Sequence, residues 1–245
     1  MGIPQDSPAK DIGTFFDKVS STSLPVPIND LSLSGGSVIV VLTAWDNTDT
    51  ADGQTTRLSC SDSAGNTYVK AMEFTNGQGA AEAGATVAIF VTVPDFDLPF
   101  GGTVKVTSDT ARVAKVARVL RFDMEPGLYA EVVIVGTATA ADDGVDPSAM
   151  TISGLDSAEY LFVHAIAIEG PSSDTYTATP LYSSVLQNLG TGGAPPASNM
   201  LLWSEVRVFT GTGDTVDITS DVADRDGAQA FVALLELSHG YVCQY

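Results

Sequence analysis

Thr103-Val104-Lys105-Val106-Thr107-Ser108-Asp109 returns 112 positions later as Thr215-Val216-Asp217-Ile218-Thr219-Ser220-Asp221. The surroundings return as well. An apolar run at 85–93 precedes the first copy and one at 199–209 precedes the second, each followed by a Gly-containing turn, and the run at 113–122 is answered by 228–237. The repeat length is close to half of the 245 residues, so the chain reads as two β-rich units of one plan, joined and then diverged.

Working outward, strand-length apolar runs recur between clusters of Gly, Asp, Asn, Ser and Pro, and no segment carries three turns of amphipathic helix. Strands are expected at 13–19, 37–45, 55–60, 67–74, 85–93, 102–107 and 113–122 in the first half. In the second they are expected at 130–139, 150–152, 159–168, 175–179, 199–209, 215–219 and 228–237. The fold class is therefore all-β, an antiparallel, jelly-roll-like β-sandwich built from two internally duplicated halves. Glu125-Pro126-Gly127 stops a strand and turns the chain, which makes it the joint. The expected division is an N-terminal arm with the first strand (1–29), a first repeat (30–125), a second repeat (126–240) and a short tail (241–245), the repeats forming one compact unit. Segments 46–54, 76–84 and 187–198 read as protruding loops.

Thirty acidic against eleven basic residues give a formal charge of −19, which repels nucleic-acid phosphates and anionic lipid, so neither is expected as a partner. The first ten residues show no basic segment leading into an apolar one, and Asp6 stands where a myristoylation signal wants Ser or Thr. No apolar run is long enough to span a bilayer as a helix. Cys60 and Cys243 make neither a disulfide framework nor a zinc pattern, and two free thiols are expected ahead of the alternative, a single bridge between them.

Catalytic signals are sparse. The two histidines are His164 and His239, and His164 shares its strand face with Phe162, Ile166 and Ile168, as a packed histidine would. There is no Gly-x-Ser-x-Gly elbow, His-Glu-x-x-His or phosphate-binding loop, which disfavours a nucleophilic hydrolase; the plentiful carboxylates leave a glycosidase pair open by count, but no catalytic or cofactor site is expected. The loop Asp46-Asn47-Thr48-Asp49-Thr50-Ala51-Asp52-Gly53 invites a calcium reading, but Thr48 and Thr50 stand where an EF-hand needs acids, and no metal is expected there.

Two groups remain as binding candidates. Arg112, Lys115, Arg118 and Arg121 recur every third residue, a spacing that suits a basic helix, although the intervening valines favour a strand. As the dense positive run of an acidic chain they are the candidate assembly interface. Trp45 and Trp203 are the candidate glycan contacts if the chain is a carbohydrate-binding module, and core residues otherwise.

Asp62-Ser63-Ala64-Gly65-Asn66-Thr67-Tyr68 after an apolar strand, where Gly-Asn supplies positive φ at a tight turn, is followed by an Ile-Phe strand and a Thr-Val-x-Val-Thr strand. The second half opens with Tyr160-Leu161-Phe162-Val163 and Glu169-Gly170-Pro171-Ser172-Ser173-Asp174-Thr175-Tyr176. Over roughly residues 30 to 237 this pattern resembles β-sandwich structural proteins of tailed bacteriophages, and bacterial surface β-sandwich modules. The resemblance implies a non-catalytic virion or adhesion module, and with no secretory signal visible in the first ten residues the expectation is a virion protein made in the host cytoplasm, an exterior capsid decoration or minor tail component. Its partners would be other virion proteins and further copies of itself, with a host-surface glycan as an additional possibility, and the alternative is a carbohydrate-binding or adhesion module. It supplies no functional residues.

Overall fold

The computed structural model describes residues 9–29, 37–81, 83–123, 129–144, 146–170, 174–184, 189–191, 199–220 and 225–239, and every regular element among them is a strand. In the first half these are β1 (Lys10–Asp17), β2 (Ser21–Pro27), β3 (Ser37–Asp46), β4 (Gly53–Gln54), β5 (Leu58–Asp62), β6 (Val69–Asn76), β7 (Ala85–Thr92), β8 (Thr103–Arg112) and β9 (Lys115–Asp123). The second half holds β10 (Tyr129–Gly144), β11 (Met150–Glu169), β12 (Tyr176–Thr177), β13 (Ser183–Ser184), β14 (Leu189–Gly190), β15 (Met200–Val216), β16 (Thr219–Ser220) and β17 (Arg225–His239).

The first main sheet has the order β1-β9-β3-β7-β6-β4 and is covered by β2-β8-β5. With 1-9-3-7 on one side and 2-8-5 on the other, the chain wraps as a jelly roll. The second main sheet, β10-β17-β11-β15-β13 with β14 also paired to β15, repeats the first five places of that order. Its cover consists of β12 and β16 together with the outer arms of β11 and β15, where Met150 to Ser153 pair with Val216 to Gly213.

Over positions 103–108 and 215–220 the two heptads occupy the same place in each half, Asp221 lying outside the described residues. Thr103 and Val104 pair with Pro27 and Val26 as Thr215 and Val216 pair with Thr151 and Met150. Thr107 and Ser108 pair with Ser59 and Leu58 as Thr219 and Ser220 pair with Thr177 and Tyr176. Val104, Val106, Val216 and Ile218 all turn inward and are buried.

The halves meet face to face through their main sheets. Val38, Val40, Leu42, Val87 and Ile89 of the first pack with Leu161, Val163, Leu202, Val232 and Leu234 of the second, and alanines (Ala44, Ala85, Ala165, Ala167, Ala228, Ala230) fill the rest. The crossings exchange between equivalent strands: β11 lies on β3, β17 on β7 as β15 on β9, and β11 on β7 as β15 on β3. These crossings follow the pattern of a two-fold pair inside one chain, while β6 also lies on β17 and β10 without a comparable exchanged counterpart among the described residues.

Being covered on both faces, the main sheets have strands that are apolar without alternation, such as β3 and β7, which are buried from end to end. The cover strand β8 faces solvent on one side and alternates instead.

Three expectations need correction. The first repeat begins at β1, not at residue 30, because Ile12, Leu24, Val26 and Ile28 lie in the core between main sheet and cover. β2 is disguised in sequence by Pro25 and Pro27, which fit because β2 is the edge of its sheet. The pairs of strands expected at 150–152 with 159–168, and at 199–209 with 215–217, are single long strands that bend out of the main sheet. β11 slips register between Ser153 and Ala158 at that bend, opposite Gly213, whose φ is 149° and whose Cβ would stand 2.2 Å from the Ile152 carbonyl oxygen. The joint at 125–127 and most of loop 187–198 lie outside the described residues, as does Cys243.

Candidate functional site

The basic run is not a surface. Arg112, Lys115 and Arg118 are buried, and Arg121 is partly so. Strand geometry explains this for Lys115, Arg118 and Arg121, since β9 lies between β1 and β3 in its sheet and both of its faces are covered, whereas Arg112 closes β8 and is folded in against the 46–54 loop. Arg112 Nε donates to the Asn47 carbonyl (2.6 Å) and helps hold the 46–54 loop. Lys115 lies 5.7 Å from the Trp45 ring centroid and donates to the carbonyls of Val19 and Arg112, with Asp17 3.7 Å away. Arg118 projects to the other face, into the core between halves, where it donates to Ser204 Oγ (3.1 Å) and pairs with Asp11 at 3.5 Å. Burial pulls its guanidinium down to about 10 against the support of Asp11. Arg121 pairs with Asp123. With three of its four charges inside the protein, the run is unavailable as the expected docking face.

The glycan candidates are likewise inside. Trp45 is in the first cover core, its indole N–H donating to Thr43 Oγ1 (2.8 Å), and Trp203 is in the second, packed with Ile166, Ile168, Tyr176, Leu201 and Ile218. Neither offers a flat face to a sugar.

The acidic loop is divided among separate tasks. Asp46 accepts the Ala114 N–H, Asp49 pairs with Arg57, and Asp52 accepts the Gly77 N–H. Asn47, fully buried, donates to the carbonyls of Asp49, Gly77 and Ala80, which clamps the two expected protruding loops to each other. Among the described residues no three His, Cys, Asp or Glu side chains converge as metal ligands would.

Two buried polar groups went unforeseen. In the first half Glu73 accepts hydrogen bonds from the backbone of Arg57 (2.8 Å) and Leu58 (3.0 Å), from Thr55 and from Lys70. In the second a chain of side chains lies between main sheet and cover. Thr179 donates its N–H (2.9 Å) and hydroxyl (2.8 Å) to Glu205, Glu205 Oε1 meets His164 Nδ1 (3.1 Å), and His164 Nε2 meets Gln229 Oε1 (2.9 Å). Gln229 donates in turn to Asp142 (2.6 Å) and the Ser148 carbonyl (3.0 Å). Because Gln229 gives its amide N–H groups to acceptors, its oxygen faces the imidazole, so Nε2 of His164 is the donor. The histidine is packed, as its strand face suggests, with Phe231 edge-on at 6.0 Å. A shallow depression beside this chain is lined by Asp142, Ile166, Ile168, Tyr176, Arg225 and Gly227, but Asp142 is engaged by Gln229 and the Ser148 N–H, and Arg225 by Asp174.

At one end of the junction between halves, Glu169 lies in the field of Asp46 and Asp226, and burial together with those two charges pushes its carboxyl up to about 7. Nearby Asn76 ties the halves together, donating to the carbonyls of Asp142 and Gly227 and to Asp143. The Cys60 thiol is pushed up by burial and by Asp62, which disfavours the thiolate.

The turn at 62–68 has its positive φ at Gly65 alone (89°). Asp62 accepts the N–H groups of Ala64, Gly65 and Asn66, and Asn66 reaches across to the 93–102 loop, accepting the Phe96 N–H (2.8 Å) and donating to the Phe96 carbonyl (3.0 Å).

No protein-family model matches the chain, and no curated protein matches it. Among solved structures it is similar to a peptide-N(4)-(N-acetyl-β-D-glucosaminyl) asparagine amidase, with 12% identity over 94% of this chain and 99% of that one, at a TM-score of 0.27. So slight a likeness carries no argument about fold or function.

Proposed function

We propose that this chain is a non-catalytic structural protein of a tailed-bacteriophage virion, carried in multiple copies on the capsid exterior or as a minor tail component, without a cofactor. The observation that supports this reading is the use made of the polar interior. His164, Glu205, Gln229 and Glu73 are buried and bonded between layers of the fold, where they fasten sheets, and Asp142, which lines the shallow depression, is held by Gln229 and the Ser148 N–H. What the first half offers outside is shape and a few large apolar side chains, Phe15, Phe16, Phe96 and Phe100. Such groups suit permanent contact with neighbours in an assembly. The carbohydrate-binding alternative loses both of its aromatic contacts to the core.

The test is mass spectrometry and antibody labelling of gradient-purified particles from a host in which the gene is expressed by the phage. The chain is expected in a fixed ratio to the major capsid or tail protein. Its absence from particles, or turnover of a polysaccharide by the purified protein, overturns the reading.

A further inference from the structure

The loop at 93–102, Val93-Pro94-Asp95-Phe96-Asp97-Leu98-Pro99-Phe100-Gly101-Gly102, is built in a way the jelly roll does not require. In the second half the equivalent passage from main sheet to cover is made inside one strand, β15, with no loop. In the first half the passage is interrupted between β7 and β8, and the inserted residues present two phenylalanines to solvent: Phe96 is 59% exposed and Phe100 66%, against 1% for Leu98 between them.

The loop is held still while the rings are left out. Leu98 plugs the cover core. Asn66, itself buried and anchored by Asp62, grips both the N–H and the carbonyl of Phe96. The far end is fixed by Gly101 N–H to the Ile28 carbonyl (3.0 Å) and Gly102 N–H to the Pro99 carbonyl (2.8 Å). Two large apolar side chains on a backbone pinned at both ends bind at little ordering cost, the property of interface anchors. Exposed Asp95 and Asp97 flank Phe96 on a chain of charge −19, so the occupant must supply apolar pockets within a positive rim, and an anionic lipid surface is repelled.

We infer that the Phe96–Phe100 loop is the attachment element of this protein, inserting both rings into apolar pockets rimmed by Lys or Arg on another protein of the assembly. The inference rests on the virion reading and names the contact within it.

The experiment measures binding of purified protein to particles from a deletion phage lacking it, at low and moderate salt, with circular dichroism as the folding check. Phe96→Ser with Phe100→Ser is expected to weaken attachment at least a hundredfold, while Phe16→Ser, which removes an exposed ring elsewhere, leaves it within about threefold. Asp95→Lys with Asp97→Lys is expected to weaken it about tenfold at low salt and less at higher salt. Attachment of wild type but equal attachment of the double serine variant overturns the loop and leaves the virion reading standing. No attachment of wild type overturns both. An equal loss with Phe16→Ser, or Phe-dependent binding to zwitterionic lipid vesicles, replaces specific pockets by general apolar adhesion and overturns the inference, and indifference to both salt and the lysine variant removes the positive rim.

Discussion

The two halves share a strand order but fasten their covers differently. The first cover is a sheet of its own, with β8 paired to β2 on one side and β5 on the other, over an interior that is largely apolar around Trp45. The second cover has two-residue strands, β12 and β16, and the bent arms of its long strands. The Glu205–His164–Gln229–Asp142 chain lies under that thinner cover and ends on it, at Thr179 and Ser148. Where main-chain ladder bonds among the described residues are few, buried side chains supply fastening, and they add register, since each partner has a fixed place.

The corner separating these two solutions should be the most sensitive point. Gly213→Val places a Cβ 2.2 Å from a carbonyl oxygen at positive φ, so a loss of about 4 kcal/mol or failure to fold is expected. Gly101→Ala, also at positive φ but facing open space, should cost only about 1 kcal/mol, read by denaturant unfolding. Equal costs would mean that the bend in β15 does not depend on Gly213.

Next in size is the polar chain. His164→Leu leaves the Glu205 carboxyl and Gln229 amide facing an apolar side chain, and about 3 kcal/mol of stability should be lost. Adding Glu205→Leu and Gln229→Leu should cost far less than the sum of the single changes, because the three act as one unit. Additivity would show three independent contacts and dissolve the contrast with the first half.

The junction between halves should respond to pH. Glu169 holds its proton more tightly folded, at about 7, than at its ordinary value of 4.5, so its favourable contribution is complete below about pH 4.5 and is lost as pH rises to about 7. Thermal melting of wild type relative to Glu169→Gln should therefore fall between pH 5 and pH 7.5, by the equivalent of about 1 to 2 kcal/mol. A pH-independent difference would place Glu169 in water.

The smallest effect compares the two indoles. Trp45 donates to Thr43, whereas Trp203 Nε1 has no hydrogen-bond partner among the described residues. Trp203→Phe should be milder than Trp45→Phe by about 1 kcal/mol.

Much of the architecture could be read from residue order. The heptads at 103 and 215 announced the duplication because their alternating valines and isoleucine must face a core, and the same pairing partners recur around both. β2 was hidden by its prolines, acceptable only at an edge whose existence depends on the fold. The basic run misled because period three on a strand alternates faces, and a strand with both faces covered buries charge that composition alone would put outside. The polar chain did leave a signal: His164, Glu205 and Gln229 each interrupt an apolar run, and three interruptions in three strands require one another. Nothing in the sequence says that those strands are neighbours. The 93–102 loop, with its paired phenylalanines among Pro, Asp and Gly, reads as an ordinary turn, and only the fold decides that Leu98 is buried while both rings are exposed.

Fusing two copies of a fold into a pseudo-two-fold pair also fixes valency. A dimer of identical subunits would carry the Phe96–Phe100 loop twice, on opposite sides of its axis, and could bridge two neighbours. This chain carries it once, because the second copy runs β15 straight through the same passage. Each molecule therefore ends a chain of contacts at that loop instead of propagating it, and the amount bound is limited by the number of sites offered, whatever the concentration of free protein.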